Sequence, residues 1–136
     1  MSKFKVFISS VQAEFAQERQ RIYDYIRGDE LMSQYFDPFI FERIASQDAN
    51  PKQLYLEEAA GSQVYMLLIG QQYGNAQPDK PSPTEQEYQA AAKGNAYRIA
   101  YIKDLDGMAR DEREEQFLRK VQSELSYRTF ANIARS

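Results

Sequence analysis

Hydrophobic positions along the chain switch repeatedly between a period of two and a period near 3.6, and that switching predicts alternating strands and helices. Phe4-Lys5-Val6-Phe7-Ile8-Ser9-Ser10 is a short β-rich run that ends in two hydroxyls, as expected of a first, central strand. From Val11 the spacing turns helical. Phe15, Ile22 and Ile26 form a stripe among Gln17, Glu18, Arg19 and Arg21, and Gly28 ends it. Tyr35 to Glu42 is the second strand candidate. Pro38 cannot donate a ladder hydrogen bond, so this run belongs at a sheet edge or starts at Pro38. A polar loop through Asp48 leads to Asn50-Pro51-Lys52-Gln53, a capping-box pattern that opens a helix fading near Gly61.

Val64 to Ile69 is unbroken apolar sequence, which suits an interior parallel strand covered on both faces. A loop from Gly70 to Pro81 follows. Ser82-Pro83-Thr84-Glu85 then repeats the helix-start pattern, and this helix stops at Gly94-Asn95. The alanines at 90, 91 and 92 predict close packing of this helix on its neighbour. Tyr97 to Ile102 is the fourth strand, Asp104 to Gly107 a turn, and Tyr127 to Phe130 the fifth strand. Between these last two lies a highly charged helix, from near Met108, with one narrow stripe of Phe117, Leu118, Val121 and Leu125. The strict alternation predicts an α/β fold: a flavodoxin-like three-layer sandwich on a parallel five-stranded sheet of order 2-1-3-4-5.

The length of 136 residues suits one domain, residues 1–136, and the apolar content of 43% excludes a disordered chain. Ala131 to Ser136 carries no closing signal, so the domain is expected to be the N-terminal part of a longer multidomain protein. Composition otherwise works by exclusion. There is no Cys, hence no disulfide, thiolate nucleophile or zinc-thiolate site, and no His, hence no imidazole base and no common transition-metal site. No metal is expected. The net charge of -3, with both signs interspersed, gives no basic field for nucleic acid. Strand-like sequence begins at Lys3, and no run approaches the roughly 20 apolar residues of a membrane span. The expectation is a cytoplasmic protein with neither a nucleic-acid nor a membrane partner.

In a 2-1-3-4-5 sheet the carboxyl ends of the first, third and fourth strands meet at one crevice, which is where open α/β sheets bind ligands. Those ends supply Ser9 and Ser10, Gly70 to Tyr73, and Lys103, with Glu85 and Glu87 added from the following helix. Ser9 and Ser10 stand where strand passes into helix. They can hold a phosphate, or Ser10 can cap the helix, and the two roles can coexist. Neither a GxGxxG nor a Walker loop is present. A receiver-type phosphoacceptor site is excluded, because serines and Gly70 stand where its acids belong. With Ser82 as N-cap and Pro83 as first helical residue, Glu85 closes a capping box, which leaves Glu87 as the carboxylate without a structural task. A competing frame puts the cap at Thr84. Tyr73 and Gly74 form a turn in which the tyrosine either packs or stacks on a base. Glu18 with Arg19 reads as a solvated pair, and the helix from Arg110 to Lys120 as a solvent face.

The blocks K-V-F-I-S-S-V-Q-A-E-F-A-Q-E-R, L-E-E-A-A-G-S-Q-V-Y-M-L-L-I-G-Q-Q-Y-G, S-P-T-E-Q-E-Y-Q-A-A and A-Y-I-K resemble the TIR-like family known as domain of unknown function 4062. The resemblance runs from Lys5 to about Leu125. It implies a place in the superfamily of TIR domains and nucleoside deoxyribosyltransferase-like enzymes, and a signalling role in a bacterial multidomain protein, in phage defence or regulation. Several members of that superfamily cleave an N-glycosidic bond in NAD or a nucleoside. Their key Glu is followed by an apolar residue and, four positions on, by Ala. Glu87-Tyr88 with Ala91 fits that spacing and Glu85 does not.

Three functions stay open. One is an NAD glycohydrolase or related N-glycosidase with Glu87 as the catalytic carboxylate and Ser9, Ser10, Gly70, Tyr73 and Gly74 as the binding set. NAD or a related nucleotide is then the substrate, and no cofactor is required. The second is a non-enzymatic interaction module that self-associates or docks on downstream domains of its own chain. The third is a nucleoside- or nucleotide-binding sensor.

Overall fold

A computed structural model describes residues 3–40, 51–74 and 76–131. The strands are β1 (Phe4–Ser9), β2 (Phe36–Phe39), β3 (Val64–Ile69), β4 (Tyr97–Lys103) and β5 (Tyr127–Phe130), and all pair in parallel in the order β2-β1-β3-β4-β5. The sheet order is the one the alternation predicted. The helices are α1 (Ala16–Gly28), α2 (Met32–Tyr35), α3 (Pro51–Ala60), α4 (Pro83–Lys93) and α5 (Glu112–Glu124).

Alternation along the strands sorts the core onto two faces. Phe7, Tyr65, Leu67, Ile69, Ala100 and Ile102 pack with Ala59 of α3, Tyr88 and Ala91 of α4, and Phe117, Leu118 and Val121 of α5. Val6 and Ile8 turn the other way, onto Ile26 of α1, with Ile22 and Met32 beside them. Pro38 sits in the middle of β2 opposite Val6, and β2 is an edge strand. Its missing N–H thus falls on an edge position, where a lost ladder bond is tolerated. The strand starts at Phe36 rather than at the proline.

The alanine-rich stretch of α4 packs closely on α3, and Ala91 is fully buried. Gly94, just past the end of α4, lies so near the carbonyl of Ala60 that a methyl group there would overlap it.

Several boundaries differ from expectation. α1 begins at Ala16, not Val11, because residues 12–15 form turns first, and its N-cap Phe15 has no side-chain capping bond. Ser10 therefore does not cap it. The short α2 was not anticipated, and it takes Tyr35 out of the strand candidate. α5 begins at Glu112 behind Asp111, whose carboxylate accepts from the Arg113 N–H at 3.0 Å. Glu42, Asp48 and the capping residue expected at Asn50 lie outside the described residues.

Candidate functional site

The site is organised by the start of α4. Ser82 is its N-cap, with extended backbone, and its Oγ accepts from the Glu85 N–H at 3.1 Å, while Pro83 occupies the first helical position. This decides the frame against Thr84. The Glu85 carboxylate does not return directly to the Ser82 N–H, as a simple capping box requires. The Tyr73 hydroxyl stands between them. It accepts from the Ser82 N–H at 3.1 Å and donates to Glu85 at 2.5 Å. Glu85 also lies 3.7 Å from the Lys120 ammonium. The box is thus closed through a tyrosine from the β3–α4 loop, which ties that loop to the helix.

Glu87 points the other way, to the carboxyl end of β1. Ser9, wholly buried, donates its hydroxyl to Glu87 Oε1 at 2.7 Å. A cleft of about 380 Å³ opens here. Its wall includes Ser10, Arg19, Gln72, Tyr73, Gly74 and Glu87. Burial pushes the Glu87 carboxyl up to about 7, against the Ser9 hydrogen bond and the Arg19 charge, which both pull it down.

The structure brings most of the expected residues together. Ser10 is buried in the cleft wall, and its Oγ accepts from Arg19 Nη1 at 3.0 Å. Tyr73 lends its ring to both the cleft wall and the core. Gly74 has φ +93, a conformation that favours glycine, and lies against Val11. Gly70 is not in the cleft wall. A side chain there would collide with Glu14 and Phe15, and its carbonyl accepts from Arg110 Nε at 2.8 Å. Lys103 is also elsewhere, with its ammonium 5.8 Å from the centre of the Phe15 ring.

Two charged residues expected in solvent are buried. Arg19 is 2% exposed, so it is not half of a solvated pair. It follows Phe15 by four positions and precedes Ile22 by three, on the same apolar stripe, and that spacing was the available signal. Glu114 is 4% exposed, inside a helix read as a solvent face. It too sits on the stripe, three before Phe117. Burial pushes its carboxyl up to about 8, opposed first by a hydrogen bond from the Gly70 backbone.

Two further residues escaped sequence reasoning altogether. Tyr65, fully buried on β3, donates its hydroxyl to the Thr84 carbonyl at 3.5 Å, and burial holds that hydroxyl well above the ordinary value, with the Glu87 charge adding to the effect. Glu14 accepts from the backbone N–H groups of Gln71 at 2.6 Å and Gln72 at 2.9 Å. It thereby fixes the chain that carries Gln72 and Tyr73 into the cleft. Among the described residues no group of His, Cys, Asp and Glu is arranged to hold a metal ion, and no helix is long and apolar enough to cross a membrane.

Among solved structures, the fold is similar to that of a 2-desoxiribosyltransferase from Leishmania mexicana, with TM-score 0.52 and 15% identity over 91% of this chain and 100% of that one. At that identity the likeness concerns the fold. No curated protein matches the sequence. The family described as "Domain of unknown function (DUF4062)" matches over residues 5–135, nearly the whole length, and the chain belongs to that family.

Proposed function

We propose that the cleft breaks the N-glycosidic bond of NAD or a related nucleotide, with Glu87 as the catalytic carboxylate, and that this activity serves signalling in a larger assembly. The observation that carries the reading is the placement of Glu87. It is a carboxylate fixed by Ser9 at the carboxyl end of β1, in the wall of the cleft, with Arg19 close enough to favour its charged form.

The chemistry asks for little else. As the bond between C1′ and the ring nitrogen breaks, its electron pair leaves with the base and positive charge develops on the ribosyl carbon. A carboxylate held beside that carbon stabilises the charge. Water then adds its oxygen to C1′ and gives up a proton, which Glu87 is poised to take because its pKa lies near 7. A nicotinamide group leaves neutral, so no histidine acid is needed.

The test is NAD turnover by the protein in its assembled form, wild type against Glu87→Gln. The expected result is a loss of at least about 100-fold. Equal turnover in the two proteins sinks the role given to Glu87. The non-enzymatic assembly reading has its own support in β5, an edge strand on which Tyr127, Arg128 and Thr129 are exposed. Absence of turnover in the enforced oligomer, with no bound nucleotide, favours that reading. Binding of the nucleotide without turnover favours a sensor.

A further inference from the structure

The cleft does not end at Glu87. A second cavity of about 410 Å³ adjoins it, with Leu56 of α3, Ala76, Gln77, Lys80 and Pro81 of the β3–α4 loop, and Gln86 of α4 in its wall. Gln12, Tyr55, Pro83 and Glu87 stand in the walls of both cavities, so the two lobes meet at the carboxylate.

The lobes differ in chemistry. The first combines hydrogen-bonding groups from Ser10, Arg19 and Gln72 with the apolar side chains of Phe7, Val11 and Phe39. The second offers the apolar faces of Leu56, Ala76 and Pro81, and the amide of Gln86, which is held in place by donating to the Pro81 carbonyl at 2.9 Å. Its loop wall is also pinned from outside. Arg113 of α5 donates to the carbonyls of Gln77 at 3.0 Å and Lys80 at 2.5 Å, while its guanidinium carbon lies 4.4 Å from the centre of the Tyr73 ring.

Resting on the reading of Glu87 given above, we infer that the substrate lies across the carboxylate in a fixed direction. The hydroxyl-bearing ribosyl part occupies the Ser10–Gln72 lobe, and a planar heteroaromatic leaving group with an amide or amino substituent occupies the Leu56–Pro81 lobe. A sugar needs a partner for each hydroxyl it takes out of water, and the first lobe supplies donors and acceptors. A flat, largely apolar ring gains from leaving water for the aliphatic walls of the second lobe, where one fixed amide satisfies its polar substituent. The reverse orientation sets sugar hydroxyls against the more apolar of the two walls, where Leu56, Ala76 and Pro81 stand beside Gln77, Lys80 and Gln86. The bond between the two parts then falls beside Glu87, where the lobes join.

Free nicotinamide and free adenine are the probes, since neither requires turnover. In crystals of the wild-type protein soaked with either, the ring is expected between Leu56 and Pro81. A ring on the Ser10 side, or no ring in either lobe, overturns the assignment. In solution, Leu56→Trp fills the second lobe and is expected to weaken nicotinamide binding at least tenfold by ligand-observed NMR, while Gln72→Ala changes it less than twofold. Unchanged binding in Leu56→Trp overturns the assignment as well. The two ideas fail separately. A ring seated in the second lobe of a protein that never cleaves NAD removes the catalytic reading and keeps the lobe assignment. NAD cleavage undiminished in Leu56→Trp, with the ring elsewhere, does the opposite.

Discussion

Glu87 and Glu114 are both carboxyls pushed up by burial, to about 7 and about 8, yet they sit in opposite circumstances. Glu114 faces the backbone. The Gly70 N–H bonds to it, Glu14 adds a repulsion that raises it further, and Arg110 partly offsets the charge. Arg110 itself is committed to the carbonyls of Gly70 at 2.8 Å and Lys103 at 3.0 Å. That group of side chains holds the end of β3. Glu87 faces a side chain, Ser9, on one side and open space on the other. A raised pKa therefore reports burial in both places, and what sets Glu87 apart is its place in the wall of the cleft, on which the proposed reaction rests.

Activity separates the two carboxyls most sharply. Glu87→Gln is expected to lower NAD turnover at least about 100-fold, and Glu114→Gln to leave it within about threefold, since an amide oxygen still accepts from Gly70. Comparable losses in the two variants break the distinction. The next effect is on stability. Glu114→Ala leaves the Gly70 N–H without its partner in a buried site and is expected to cost about 2 kcal/mol in urea denaturation, well beyond the cost of Glu87→Ala.

Both carboxyls also make stability depend on pH, and the sign follows from the direction of their shifts. Their folded pKa values, about 7 and about 8, lie above the unfolded carboxylate value. The stabilisation belonging to the protonated forms is thus complete below the unfolded value and is lost as pH rises through 7 and then 8. The wild-type melting temperature is expected to fall from pH 5 to pH 9. Glu114→Gln should flatten that fall, and an unchanged slope contradicts the burial argument. The smallest effect is kinetic. Ser9 favours the ionised form of Glu87. Ser9→Ala is expected to move the acid limb of the pH–rate profile upward by less than one pH unit.

The sheet order, the edge position of the Pro38 strand and the Ser82 cap were legible because each follows from local chemistry: period, a missing donor, a capping hydroxyl. Close packing of α4 was legible from three successive alanines, and the structure supplies α3 as the partner. The cleft was harder. Ser9 and Glu87 are 78 positions apart, and no local pattern announces that their side chains meet. Arg19 and Glu114 were misread because charged residues on a helix usually face water, yet both stand on the apolar stripe of their own helix. Glu87 shares this trait, three positions after the buried Thr84 and four before the buried Ala91. The charged residue at a stripe position was the signal common to all three, and residue type masked it. The Tyr73 link between Ser82 and Glu85 had no such signal, because it depends on where the loop returns.

The Ser82 cap and the Tyr73 link have a consequence for how the sequence can lengthen or shorten. They fix the first turn of α4, so the direction of Glu87 is counted from Ser82. One residue inserted between Ser82 and Glu87 turns the carboxylate by about 100° around the helix, away from Ser9 and the cleft. Residues gained or lost among positions 76–80 leave that count intact and alter the reach of the second lobe and the Arg113 contacts that hold its wall. Length variants of this domain are accordingly expected to differ in what they bind when the change falls before the cap, and to lose the site when it falls after.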